Sequence, residues 1–205
     1  MKEIKNIVFD FGGVLLDWNP RYVYSNYFGS KDEMEYFLAN ICTGEWNAEH
    51  DRGRSFDEGV SLLQAQYPEC AEAIAMFRDK WKYMIKGEIH AGVSLLRKLK
   101  AARYKIYGLT NWSAETIDYA LSKYDFFKLF DGIVVSGREK IIKPDAGIYK
   151  ILLERYGLNA AESVFIDDSL PNINAARELG FNAILFDNIE NVLLQLKSLN
   201  VINNS

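Results

Sequence analysis

The sequence predicts an α/β protein: an open, Rossmann-like parallel sheet with helices on both faces, and a helical domain inserted after the first strand. Three observations lead there. Short apolar runs at residues 4–11, 105–109, 132–135, 163–166 and 183–186 are near-continuously hydrophobic rather than alternating, the pattern of parallel strands covered on both faces. Helical stretches separate the last four runs, so strand and helix alternate. The interval from about residue 19 to 87 breaks that rhythm and holds no convincing strand.

The first run is short, β-branched and aromatic, and it stops at Gly12-Gly13. Within the insertion, residues 21–28, 31–42, 55–67 and 69–86 carry helical apolar spacing, and Ser55 followed by Glu58 is a capping-box signature. Beyond it, "AGVSLLRKLKAAR", "AETIDYALSKY", "AGIYKILLERYG" and "PNINAARELG" read as helices, with Gly157 and Gly180 where C-caps belong. The resulting division is a Rossmann-like core of residues 1–18 and 88–205 and a helical insertion of residues 19–87. The tail "LNVINNS" is expected to fray.

The chain has 205 residues, 49% hydrophobic and 25% charged, an ordinary soluble composition with enough length for a real core. A net charge of −4 supplies no basic field, so neither nucleic acid nor an anionic membrane is an expected partner. Cys42 and Cys70 match no zinc spacing and make no disulfide framework, which points to a reducing, cytoplasmic setting. The start, "MKEIKNIVFD", lacks a signal-peptide apolar region, and no run approaches the ~20 apolar residues of a membrane helix. A monomer or a homodimer is expected.

Ligands of open parallel sheets bind outside the carboxyl ends of the strands. Asp10 ends the first run, Thr110 and Asn111 the second, and Asp167 and Asp168 the fourth. Lys143 follows the third run after a loop. Each has a bland alternative: Asp10 as turn chemistry, Thr110 or Asn111 as helix caps, Lys143 as a solvated loop residue. The adjacent acids at 167 and 168 repel each other unless a cation is present. Taken together, the set is suited to phosphoryl transfer through an aspartate. Asp10 would attack phosphorus, and Lys143 would neutralise charge. Thr110 and Asn111 would bind phosphoryl oxygens, helped by backbone N–H groups at Gly12 and Gly13. Asp10, the carbonyl of Gly12 and the acids Asp167 and Asp168 would offer oxygens to Mg²⁺, or to Mn²⁺.

"FDFGGVL", "LTN", "KPDAGIY" and "FIDDSLPNINAARELG" resemble the four motifs of the haloacid dehalogenase (HAD) superfamily in its phosphatase branch. The resemblance spans essentially the whole chain. It implies Asp10 as nucleophile, Asp167 and Asp168 at the metal site with Asn172 nearby, and the insertion as a helical cap. One position departs: most phosphatase members carry Asp two residues after the nucleophile, and here Gly12 stands there. That resembles a sub-branch including bacterial phosphatases of α-D-glucose 1-phosphate, and implies a small phosphorylated metabolite, a sugar phosphate, as substrate.

Loss of general acid catalysis costs roughly 10²–10⁴ in rate. Either the leaving group is good or the cap supplies an acid, for which Glu49, His50 and Asp51 are candidates. His50 and Arg52 are candidate substrate-binding residues, and Trp18, Trp46 and Trp112 candidate stacking surfaces. Two rivals remain open on the sequence: a 2-haloacid dehalogenase, which needs neither an acid at position 12 nor a metal, and a phosphate-binding or regulatory protein of low turnover.

Overall fold

The computed structural model describes residues 2–202. Five strands form one sheet: β1 (Asn6–Phe9), β4 (Lys105–Thr110), β5 (Gly132–Val135), β6 (Ser163–Asp167) and β7 (Asn182–Leu185), in the order β5-β4-β1-β6-β7. All neighbouring pairs are parallel. β1 is central because its four residues are wholly apolar or paired: Ile7, Val8 and Phe9 have no exposed surface, and the amide of Asn6 donates to Ser163 Oγ at 3.1 Å.

Alternation along the strands builds two cores. Ile7, Phe9, Ile106, Val164, Ile166 and Ile184 face one side with Leu96 and Leu99 of α6 (His90–Ala101) and Val192 and Leu196 of α11 (Ile189–Ser198). Val8, Leu109, Val134 and Phe165 face the other with Ile148 and Leu152 of α9 (Ala146–Tyr156) and Ile173 of α10 (Leu170–Glu178). Gly157 ends α9 in the left-handed conformation at φ 63°, the C-cap that the sequence predicts.

Between β1 and the rest of the sheet the chain runs through β2 (Leu16–Trp18), α1 (Arg21–Tyr24), α2 (Lys31–Asn40), α3 (Gly44–Asp51), α4 (Phe56–Gln66), α5 (Ala71–Asp79) and β3 (Ile85–Glu88). The helices pack around Tyr24, Phe37, Phe56, Ile74 and Phe77. Ser55 caps α4 by accepting from Glu58 N. β2 and β3 pair antiparallel, Leu16 opposite Glu88 and Asp17 opposite Gly87, so the insertion is entered and left through one two-stranded ribbon.

Several expectations need correction. The insertion does contain strand: β3 occupies part of the stretch read as one helix over residues 69–86, which divides into a 3₁₀ turn, α5, a second 3₁₀ turn and the start of β3. The segment read as a helix over residues 21–28 is helical only at Arg21–Tyr24. α3 and α11 were not expected. The tail does not fray at Val201, which is buried and accepts a hydrogen bond from the Tyr104 hydroxyl at 3.0 Å; residues 203–205 lie outside the described residues. Among the described residues no helix is long and apolar enough to cross a membrane.

Candidate active site

β1, β4 and β6 end side by side, and their last residues meet. Asp10 extends the β1 ladder, its N–H donating to Ile166 O at 2.9 Å. One carboxylate oxygen accepts from Phe11 N at 2.7 Å and the other faces Lys143 Nζ at 3.0 Å. Lys143 is fully buried. It donates to Leu109 O at 2.9 Å and to Asp167 Oδ2 at 2.6 Å as well as pairing with Asp10. Those three partners match the three protons of an ammonium, so what Lys143 offers an incoming phosphoryl group is charge.

Asp167 is sealed in. It accepts from Lys143, Ser169 N at 2.8 Å and Asn172 Nδ2 at 3.0 Å. Asp168 is the more open of the pair. Carboxylate oxygens of Asp10, Asp167 and Asp168 all lie within 4.8 Å of one another. Three carboxylates around one ammonium leave two excess negative charges when all are ionised, a balance a divalent cation restores. The oxygen-only donor set fits Mg²⁺.

The electrostatics carry the same imbalance. Burial pushes Asp10 up to about 7 against the pull of Lys143, with Asp167 and Asp168 adding repulsion. Burial opposes the charge on Lys143, but Asp10 and Asp167 outweigh it and hold the ammonium above its ordinary value. Asp168 is raised by burial and then by Asp167.

Backbone geometry makes the approach. Gly13 has φ 71°, and a Cβ built there would lie 2.0 Å from Asp168 Oδ2, so the acid occupies the space a side chain would take. Gly12 has nothing within 4 Å of its Cβ position. That open space belongs to a cavity of about 130 Å³ lined by Gly12, Trp18, Asn47, Asp51, Trp81, Asn111 and Trp112.

Thr110 is fully buried at the end of β4, and its hydroxyl has no partner among the described residues. Asn111 also has a structural role that the sequence did not suggest. Its amide clamps the backbone of Lys143, Nδ2 donating to Lys143 O at 3.0 Å and Oδ1 accepting from Lys143 N at 2.8 Å. One N–H remains for a ligand.

Four sequence candidates, Trp46, Glu49, His50 and Arg52, do not line the cavity. His50 is a core residue of the insertion, stacked on Phe56 at 4.4 Å between centroids, edge-on to Trp46, and donating from Nδ1 to Arg54 O at 3.2 Å. Burial depresses it to about 4, which keeps the ring neutral. Arg52 points to solvent and pairs loosely with Glu49 at 3.5 Å. Trp46 likewise packs inward, its indole donating to Gly59 O. Asn47 and Trp81 were not anticipated. Asn47 precedes Asp51 by four residues, one helical turn, and Thr43 caps that helix by accepting from Trp46 N. The Thr43 cap was the available signal.

A family model described as haloacid dehalogenase-like hydrolase matches residues 4–180. The sesquiterpene phosphatase astK of Aspergillus oryzae is 31% identical over 177 residues, covering 86% of each chain. An (S)-2-haloacid dehalogenase of Pseudomonas fluorescens is 24% identical over 198 residues, 88% of this chain and 83% of its own. A HAD family enzyme from Bacteroides thetaiotaomicron, solved as a magnesium complex, superposes with a TM-score of 0.71 at 22% identity, over 90% of this chain and 93% of that one. With the family model spanning most of its length, the chain belongs to the haloacid dehalogenase-like hydrolases.

Proposed function

We propose that the protein is a Mg²⁺-dependent phosphatase that hydrolyses a small phosphorylated metabolite, a sugar phosphate, through an aspartyl-phosphate on Asp10. The observation that carries this reading is the convergence of Asp10, Asp167 and Asp168 around the single ammonium of Lys143.

Lys143 holds Asp10 in place and pulls its carboxyl toward the ionised form, opposing the larger cost of burial. Asp10 Oδ attacks phosphorus, and the bond to the leaving oxygen breaks. The unpartnered Thr110 hydroxyl and the remaining N–H of Asn111 take phosphoryl oxygens. Asp10, Asp168 and the Gly12 carbonyl would hold Mg²⁺, with Asp167 behind them, and the ion would supply charge neutralisation for the phosphate. Residues 19–87 act as the cap, setting specificity and excluding water.

The cavity favours a leaving group with hydroxyls. Trp18, Trp81 and Trp112 provide aromatic walls, but Asn47 and Asp51 line it too. A relative that is a sesquiterpene phosphatase makes an isoprenyl phosphate the informative competitor.

Dehalogenation through Asp10 is the second reading, motivated by Gly12 and by the dehalogenase relative. It leaves the excess negative charge without a use. The test is a metal-supplemented panel of sugar, aryl and isoprenyl phosphates, with Asp10→Asn as blank. The Asn variant should fold and lose about 10⁴-fold or more in turnover, and chelation by EDTA should abolish the wild-type activity. Turnover by Asp10→Asn near wild type rejects the nucleophile. EDTA-insensitive release of halide from a 2-haloacid rejects the phosphatase.

A further inference from the structure

The position two residues beyond Asp10 is open to a side chain and carries none: nothing lies within 4 Å of a Cβ at Gly12. The cavity that Gly12 lines is also lined by Asn47 and Asp51 of α3, and the carboxyl group that α3 contributes to it is Asp51. We propose that Asp51 is the proton donor to the leaving oxygen, standing in from the cap for the carboxyl absent at Gly12. The proposal rests on the phosphatase reading above.

Of the ionisable cap residues in "AEHD", Asp51 is the one that lines the cavity. Glu49 turns outward to Arg52, and His50 is packed into the insertion's core. Asp51 is also held. Its Oδ2 accepts from Asn47 Nδ2 at 3.2 Å, and the backbone N–H of Ser113 reaches the same carboxyl. Its own carbonyl accepts from Ser136 Oγ at 2.6 Å, which ties the end of α3 to the core. The charged group that faces it from the core is Lys143. Burial pushes Asp51 up to about 7, with Ser113 N–H and Lys143 pulling the other way, so the group can hold a proton to give in the range below and around that pH.

The step balances. As Asp10 Oδ bonds to phosphorus, the P–O bond to the leaving group breaks, and its electron pair takes the Asp51 proton, releasing an alcohol. Water then attacks phosphorus and its proton passes to the Asp51 carboxylate. The Asp10–phosphorus bond breaks, inorganic phosphate leaves, and Asp51 is protonated again.

The test is rapid-quench measurement of phenol release from phenyl phosphate and 4-nitrophenyl phosphate, whose leaving groups differ in their need for a proton. Asp51→Asn should slow the phenyl ester by about 10²-fold and the nitrophenyl ester by less than about 5-fold. Adding Gly12→Asp to that variant should restore most of the loss. A readout on the wild type needs no variant: the ratio of the phenyl to the nitrophenyl rate constant should fall as pH rises through about 7, since titration of Asp10 cancels in the ratio. A flat ratio, or equal loss of both esters in an Asp51→Asn protein that melts like wild type, overturns the proposal. Wild-type protein releasing neither phenol rejects the phosphatase reading itself, a different signature.

Discussion

Two adjacent glycines after the nucleophile have opposite physical constraints. Gly13 sits at φ 71° with Asp168 where its side chain would be. Gly13→Ala should cost about 1–2 kcal/mol for the left-handed backbone alone and displace Asp168, weakening Mg²⁺ binding. Gly12→Ala should stay within about 0.5 kcal/mol of wild type, since the space beside it is open. Thermal melts and magnesium titrations of the pair check both, and equal behaviour of the two variants contradicts the assignment. At this scale the sequence was informative where a side chain's neighbours are set by strand ends. Asp10, Lys143, Asp167 and Asp168 meet as their positions require. It was uninformative where neighbours come from packing. His50 is enclosed by Phe56 and Trp46, a fact of helix arrangement that no local spacing encodes. Asn111 clamps a backbone 32 residues away.

Among elements, the buried strands were legible because burial on both faces demands an unbroken apolar run: "KIYGL", "GIVV" and "SVFI" all become strands of the parallel sheet. The ribbon of β2 and β3 was not. Each is three or four residues long, half exposed, and includes Asp17, Lys86 and Glu88, so neither shows an apolar signature. α3 was missed for the same reason. "GEWNAEHD" has almost no apolar stripe, because one side meets the core through polar contacts and lines the cavity. One of those contacts is the Ser136 hydroxyl, which donates to Asp51 O at 2.6 Å and accepts from Trp112 N at 2.9 Å. Ser136→Ala removes both partners at once and should destabilise by about 1–3 kcal/mol. Hydrogen exchange should quicken in α3 while β1 and β4 keep their protection. A uniform change across the chain would mean that Ser136 is not a link between cap and core.

The whole molecule combines these groups into a pH response whose sign can be worked out. Asp10 ordinarily titrates at 3.8 and in the folded, metal-free protein at about 7; Asp51 behaves alike. Between those values the unfolded chain has released the proton that the folded chain retains. Stability therefore declines from these two groups as pH rises from about 4 to about 7, and is level above. His50 acts oppositely. Its folded value of about 4 lies below its ordinary 6.5, so its contribution improves as pH rises across that window. Mg²⁺ alters only the first of these effects, because binding at Asp10 and Asp168 requires the ionised carboxylates and releases their protons. The gain in melting temperature on adding Mg²⁺ should be near zero at pH 4, grow through pH 7, and level off by pH 8. Each released proton contributes about 1.4 kcal/mol per pH unit within the window. Asp168→Asn should flatten that dependence by removing a ligand, whereas His50→Phe should leave it intact while abolishing the acid-side loss. A magnesium effect of the same size at every pH would mean that the ion does not displace protons from this cluster, and the convergence of three carboxylates beside one ammonium would then need another explanation.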